Sequence, residues 1–208
     1  GIVEVPDERM VQISQYIKPQ KQIFNTMEFV DIAGLVRGAS KGEGLGNQFL
    51  SHIRTVDAIV HVVRCFEDSN VTHVEGRLDP IRDIEIIETE LLIRDLDSLE
   101  KRQVKATKQA RTGEKEAISE KECLDYVIQK VDKGIHLRKL ELNDNQQKIL
   151  KPLALLTLKP ILYVANVDEK EIQSAERGEF AEKLFHYAYE NGCGAIRLCG
   201  NIEMEIST

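Results

Sequence analysis

Met27-Glu28-Phe29-Val30-Asp31-Ile32-Ala33-Gly34 is a mostly apolar run that passes directly into a D-x-x-G sequence. Its apolar, aromatic and β-branched residues predict a strand over Met27 to Asp31. In a doubly wound sheet, ligands sit beyond the carboxyl ends of the strands. An aspartate there can hold a Mg²⁺-bound water. A glycine three residues on lets its backbone N–H come close to a γ-phosphate. D-x-x-G alone is common; its place between a strand and a loop gives it weight.

The loop that follows, Gly38 to Asn47, holds four glycines in nine residues, Gly38 to Gly46. A segment of that kind can be ordered by a phosphate and released after hydrolysis. It is not a Walker A loop, because G-x-x-x-x-G-K-[ST] does not occur in it. Further out, Asn47 to Thr55 is helix-like. Ala58 to Phe66 is a nearly continuous apolar run, as expected of a strand covered on both faces. Alternating strand, helix and strand predict a parallel sheet. Toward the N-terminus, Ile2 to Val5 reads as a strand. Asp7 then caps a helix that ends near Lys18-Pro19.

The middle of the chain changes character. Asp79-Pro80 opens a helix whose Ile84, Ile87, Leu91, Leu92, Leu96 and Leu99 recur at threes and fours to about Arg111. Thr112-Gly113 breaks it. A second helix from about Glu114 ends at Gly134, with Ala117, Lys121, Leu124, Ile128 and Val131 on one face. Two long helices joined by a tight turn make a coiled-coil-like hairpin. Its many Lys, Arg and Glu read as a solvated face in preference to a binding surface.

Beyond the hairpin, Asp144 is placed as the cap of a short helix ending at Lys151-Pro152. Ile161 to Ala165 is a buried strand, Phe180 to Tyr189 a helix closed by Gly192, and Ala195 to Leu198 a last strand. The expected fold is therefore α/β, with a mostly parallel sheet interrupted by helices. Its expected parts are 1–79, an inserted helical domain at 80–151, and 152–208. After the strand at Ile161 comes Asn166-Val167-Asp168-Glu169. An asparagine at such a strand end can read a purine at N7 and its exocyclic group. An Asn/Asp turn leaving a strand is the plain alternative. Paired with Asp31 and Gly34, the nucleotide reading is preferred.

Composition sets the limits. The 208 residues carry 28 basic and 35 acidic side chains, a formal charge of −7. This argues against broad nucleic-acid binding by net charge and gives no sign of sequence-specific DNA recognition, while leaving room for a local basic face. No apolar run approaches the ~18 residues of a membrane span. Cys65, Cys123, Cys193 and Cys199 form no C-x-x-C pair, and the five histidines show no metal-ligand spacing. Reduced thiols in a cytoplasmic protein are expected, with Cys65 a small core residue. The chain starts at Gly1 without methionine and stops at Thr208 within a helix-like run, so it is expected to be the middle of a larger protein.

Val30 to Val36, Gly38 to Asn47 and His61 to Phe66 together resemble the YchF group of Obg-related P-loop NTPases, the Obg-like ATPases. So does Leu158-Lys159-Pro160 leading to the Asn166 loop. The resemblance covers essentially the whole chain, helical insertion included. It implies that Asp31 and Gly34 form the third G motif, with Asp31 reaching Mg²⁺ through water. It also implies that Asn166 and Glu169 form the fourth, and that Cys199-Gly200-Asn201 loosely fits the fifth. GTPases usually carry aspartate where this chain has Glu169. The longer side chain suits the N1–H and N2–H₂ pair of guanine poorly, so ATP is expected over GTP; Asp168 beside it is the other carboxylate that could face the base. Leu35 stands where Ras-like enzymes place a water-orienting glutamine, so no catalytic residue is assigned. The P-loop and the C-terminal TGS domain of the family are not in these residues, which implies an incomplete phosphate site. By resemblance the partner is the large subunit of the ribosome. The alternative is a module that hydrolyses nothing and binds a ribosomal or protein partner through its hairpin.

Overall fold

The structure, a computed structural model, describes residues 1–31, 53–67 and 78–207. It divides into two compact units, Gly1–Gly34 and Leu35–Thr208. Gly34, Leu35 and the Gly38–Asn47 loop lie outside the described residues, as does most of the helix expected from Asn47.

In the first unit, β1 (Ile2–Val5) pairs with β2 (Asn25–Glu28) in antiparallel register, Ile2 opposite Glu28 and Val5 opposite Asn25. The expected strand over Met27 to Asp31 is thus displaced toward the N-terminus. Phe29 and Gly1 exchange the last backbone bonds of the ladder, and strand pairing within this unit ends there. Between the strands lies α1 (Glu8–Ile17), capped by the Asp7 side chain on the Arg9 N–H. Lys18 closes it with a positive φ of 46° just before Pro19, which cannot continue a helix.

The second unit holds the parallel sheet. Its strands β3 (Ile59–Arg64), β4 (Ile161–Asn166) and β5 (Gly194–Leu198) lie in the order β3-β4-β5. Val63, Cys65, Tyr163 and Ala165 are buried with Ile84 of α2 (Pro80–Ala110) and Leu184 of a later helix. The opposite face differs from expectation. Val60 and Val62 are 45% and 59% exposed, because among the described residues the helices pack on one side of β3 only.

Helix α2 opens with Asp79 accepting from the Arg82 N–H and with Pro80 in its first turn, where a missing N–H costs nothing. It is 31 residues long. After Gly113, at φ 83°, α3 (Lys115–Val131) runs back along it. Leu99, Ala106, Leu124, Val127 and Val131 form a second core between them, joined by Leu150 of α4 (Asp144–Leu150). The cap of α4 is Asn143 rather than Asp144. Its side chain takes the Gln146 N–H while Gln146 returns the bond, a closed capping box.

Helices α5 (Glu169–Gln173), α6 (Glu179–Glu190) and α7 (Gly200–Ile206) complete the unit. In α6 the buried residues are Ala181, Leu184 and Ala188, whereas Tyr189 is 84% exposed. No helix among the described residues is long and apolar enough to cross a membrane.

Candidate functional site

Asn166 is the last residue of β4, and its backbone is locked on both sides. Cys65 N–H donates to the Asn166 carbonyl at 2.8 Å, and the next residue, Val167, donates to the Leu198 carbonyl at 2.9 Å. The side chain is fixed as well. Gly200 N–H donates to Asn166 Oδ1 at 3.0 Å, so the amide must point its oxygen toward Gly200 and its Nδ2 away. One lone pair of Oδ1 is left over. Nδ2 makes no hydrogen bond among the described residues. The asparagine therefore offers an acceptor and a donor side by side, the pair that adenine N6 and N7 require.

A chain turn on each side holds this group. Cys199 is buried at 3% exposure and anchors the turn that delivers the Gly200 N–H. A Cβ at Gly200 would meet the Asn166 amide at 3.5 Å, ordinary contact, so the position does not demand glycine on steric grounds.

Three carboxylates follow Val167, and the structure separates them. Asp168 accepts from Glu171 N–H at 2.7 Å as the cap of α5, which commits its side chain. Glu171 accepts from Gly178 N–H at 2.9 Å. Glu169 is exposed and forms no hydrogen bond or ion pair among the described residues. Of these carboxylates, Asp168 and Glu171 each accept a backbone N–H, and Glu169 is open. The segment beyond is pinned by Arg197, whose guanidinium donates to the Glu176 and Ser174 carbonyls, both at 2.8 Å.

Asp31 is described within the first unit. It is exposed and lies three residues beyond β2. No group of three or more His, Cys, Asp or Glu among the described residues could cage a metal. A single open carboxylate fits Mg²⁺ held mainly by waters and phosphates rather than by a protein cage.

Sequence reading missed two buried acids. Glu88 is 2% exposed and Asp95 1%. Glu88 Oε1 accepts from the Tyr163 hydroxyl at 2.8 Å, while Oε2 is held by His136 Nδ1 at 2.7 Å and by Arg138. Burial by itself would push the Glu88 carboxyl up. Hydrogen bonds from His136, Arg138 and Tyr163 outweigh it and hold the group at about 2. Asp95 accepts from Leu156 N–H, Thr157 N–H and the Thr157 hydroxyl, each at 2.7 Å. These acids tie the hairpin to β4 and to the segment leading into it, and β4 is the strand that ends in Asn166. A signal for both was present. In 84, 88, 91, 95 and 99, acids occupy two positions of the stripe that Ile84, Leu91 and Leu99 bury.

The thiols are free. Cys65, Cys123 and Cys199 are buried and Cys193 half-buried, and burial pushes Cys65 up to about 12. The core reading of Cys65 holds.

A family model described as a 50S ribosome-binding GTPase matches residues 9–93. The ribosome-binding ATPase YchF of Bacillus subtilis is 48% identical over 207 residues, covering 100% of this chain and 57% of the relative. The protein of the same name from Escherichia coli O157:H7 is 42% identical, over 100% and 56%. The solved YchF GTPase of Schizosaccharomyces pombe superposes with a TM-score of 0.79 at 35% identity, over 95% of this chain and 54% of that one. The chain thus spans little more than half the length of these relatives. The likeness runs through the strand ends, the hairpin and the Asn166 loop alike, so the chain is similar over its whole length to part of the YchF proteins.

Proposed function

We propose that the chain is the nucleotide-binding part of a ribosome-associated switch that hydrolyses nucleoside triphosphates, ATP in preference to GTP. The observation that carries the base reading is the Asn166 amide, oriented by Gly200 N–H, with Glu169 left as the uncommitted carboxylate of its loop. Adenine would donate from N6 to Oδ1 and accept at N7 from Nδ2. Guanine would need a carboxylate close enough to take N1–H and N2–H₂ together, and Glu169 is one methylene too long for an aspartate's pose. Cys199 and Gly200 act by holding the Asn166 amide in place.

On the phosphate side, Asp31 would hold a water of the bound Mg²⁺, which supplies neutralisation of the phosphate charge. Gly34 would offer its backbone N–H to the terminal phosphate, and the Gly38–Asn47 loop would respond to its loss. Leu35 can neither accept nor donate a proton, so slow intrinsic hydrolysis is expected. The residues divide by role into a nucleotide part at 1–79 and 152–208 and a helical part at 80–151. Relatives named ribosome-binding ATPases support a ribosome as partner, its large subunit in particular, and a cytoplasmic setting.

Calorimetric titration with ATP and GTP, on the chain and on the chain extended to the length of its relatives, tests this. Asn166→Ala should weaken both nucleotides by about tenfold, the loss of roughly one buried hydrogen-bond pair. Glu169→Asp should move preference toward GTP by about tenfold. An unchanged ATP/GTP ratio in Glu169→Asp would remove the carboxylate argument. GTP binding tighter than ATP in the unmodified protein would reverse the base assignment.

A further inference from the structure

At the end of the parallel sheet away from Asn166 lies a cleft of about 710 Å³, the size of a small-molecule site. It is lined by Ile161 and Gly194, where β4 and β5 begin. Asn166 ends β4, so the length of that strand, about 17 Å, separates the cleft from the Asn166 amide. The apolar lining is completed by five leucines that follow the hairpin, Leu137, Leu140, Leu142, Leu155 and Leu158. Of these, Leu140, Leu142 and Leu158 are only half-buried.

The charged lining is mostly basic, Arg138, Lys151 and Lys159 against Asp57, in a chain whose formal charge is −7. Lys159 is spent on the Arg54 and Val56 carbonyls. Lys151 is exposed and makes no hydrogen bond or ion pair among the described residues. Arg138 is only partly spent. Its side chain is 10% exposed, and Nη2 alone is engaged, on Glu88 Oε2, with His136 Nδ1 3.0 Å away. Nε and Nη1 are buried and have no hydrogen-bond partner among the described residues. These nitrogens carry three of the five guanidinium N–H donors, in a place where an unpaired donor is costly. Cys193 lines the cleft as well. Burial pushes its thiol up, and the nearby Arg138 charge works against that.

A buried water could take one or two of these donors, but it would leave the leucines uncovered and the Lys151 charge unmatched. Half-exposed leucines beside unspent cations suit an apolar chain that ends in an anion. We infer that this cleft binds a small amphipathic carboxylate, its chain on the leucines and its carboxylate on Arg138 and Lys151. The two free Arg138 nitrogens lie beneath the cleft surface, so the carboxylate takes an N–H by turning the Cys193 side chain aside, while Nη2 stays on Glu88. The site is independent of any nucleotide at Asn166.

The probe is decanoate, titrated below its micelle concentration into the whole chain and followed by calorimetry and amide NMR shifts. A Kd on the order of 0.1 mM is expected, with the largest shifts at 137–142, 154–161 and 191–194. Decanol keeps the chain and acetate keeps the anion; each should bind at least about tenfold more weakly. Arg138→Lys keeps a cation for Glu88, removes the unspent donors and should cost about tenfold. Leu142→Glu places a negative charge against the carboxylate and should cost more than about tenfold, and Lys151→Gln about threefold. These two variants carry the test if Arg138→Lys fails to fold. Cys193→Ala removes the side chain that must move and should bind at least as tightly as the unmodified chain. Decanol matching decanoate would leave an apolar surface with no anion contact, and acetate matching it would leave an adventitious ion only. Unchanged affinity in Leu142→Glu, or shifts centred on Asn166, would put the binding elsewhere. Any of these outcomes, weaker binding by Cys193→Ala, or no binding at millimolar decanoate overturns the assignment.

Discussion

Between Pro80 and Glu100, helix α2 carries seven acidic and two basic residues; between Lys101 and Arg111 it carries five basic and none acidic. The first stretch is fastened to the sheet. Glu88 and Asp95 are buried there, and each makes three contacts with β4, the segment before it or the turn after the hairpin. The second stretch is an arm, packed along one stripe against α3 and otherwise open. A buried carboxylate survives only when hydrogen bonds replace its lost water, so an acid at the base of the helix must come with partners. An exposed cation has no such obligation. Charge at the base therefore specifies how the helix docks, and charge at the tip is left over for something else.

The sharpest way to break this contrast is at Glu88. Glu88→Ala would leave Arg138 without its carboxylate and the Tyr163 hydroxyl without an acceptor. A loss of about 3 to 5 kcal/mol is expected in urea unfolding.

Acid should expose the same group from another side. Glu88 is lowered from an ordinary 4.5 to about 2, so between those values the unfolded chain takes up a proton that the folded chain refuses. The stability this gives is fully present above pH 4.5 and is lost as pH falls toward 2. It is on the order of 3 kcal/mol. Unfolding free energies measured down this range should fall less steeply in Glu88→Gln than in the unmodified chain.

Asp95→Ala comes next, at about 2 to 3 kcal/mol, because two backbone N–H groups and the Thr157 hydroxyl lose their acceptor. Thermal unfolding would measure it. At the other end of the helix the effect on stability should nearly vanish. Lys105→Gln and Lys108→Gln should each stay within about 0.5 kcal/mol, as exposed, unpaired positions do. A loss above ~1 kcal/mol at either would show that the tip is held by contacts of its own and would erase the distinction.

Much of this was readable in the chain itself. The apolar run at Ile161 to Ala165 announced β4, and Thr112-Gly113 announced the turn between the long helices, where the structure gives Gly113 a positive φ of 83°. Asn166 stood out as a polar group at a strand end. Tertiary structure chose differently where sequence signals were weak or non-local. The cap of α4 went to Asn143, because only that residue could close a reciprocal bond with Gln146. The strand near Asp31 moved to Asn25–Glu28, because the ladder with β1 sets its extent.

Sequence alone determined the periodicities, the breaks and the residue types of the Asn166 loop, since these depend on neighbours a few positions apart. Only the tertiary structure decided which carboxylates are committed. Asp168 is spent on a helix cap, and Glu88 and Asp95 are spent on partners 48 to 75 residues away along the chain, whereas Glu169 has none of these commitments among the described residues. The physical reason is desolvation. An acid's fate depends on the water it loses and the donors it meets, and those donors come from parts of the chain that only folding brings near.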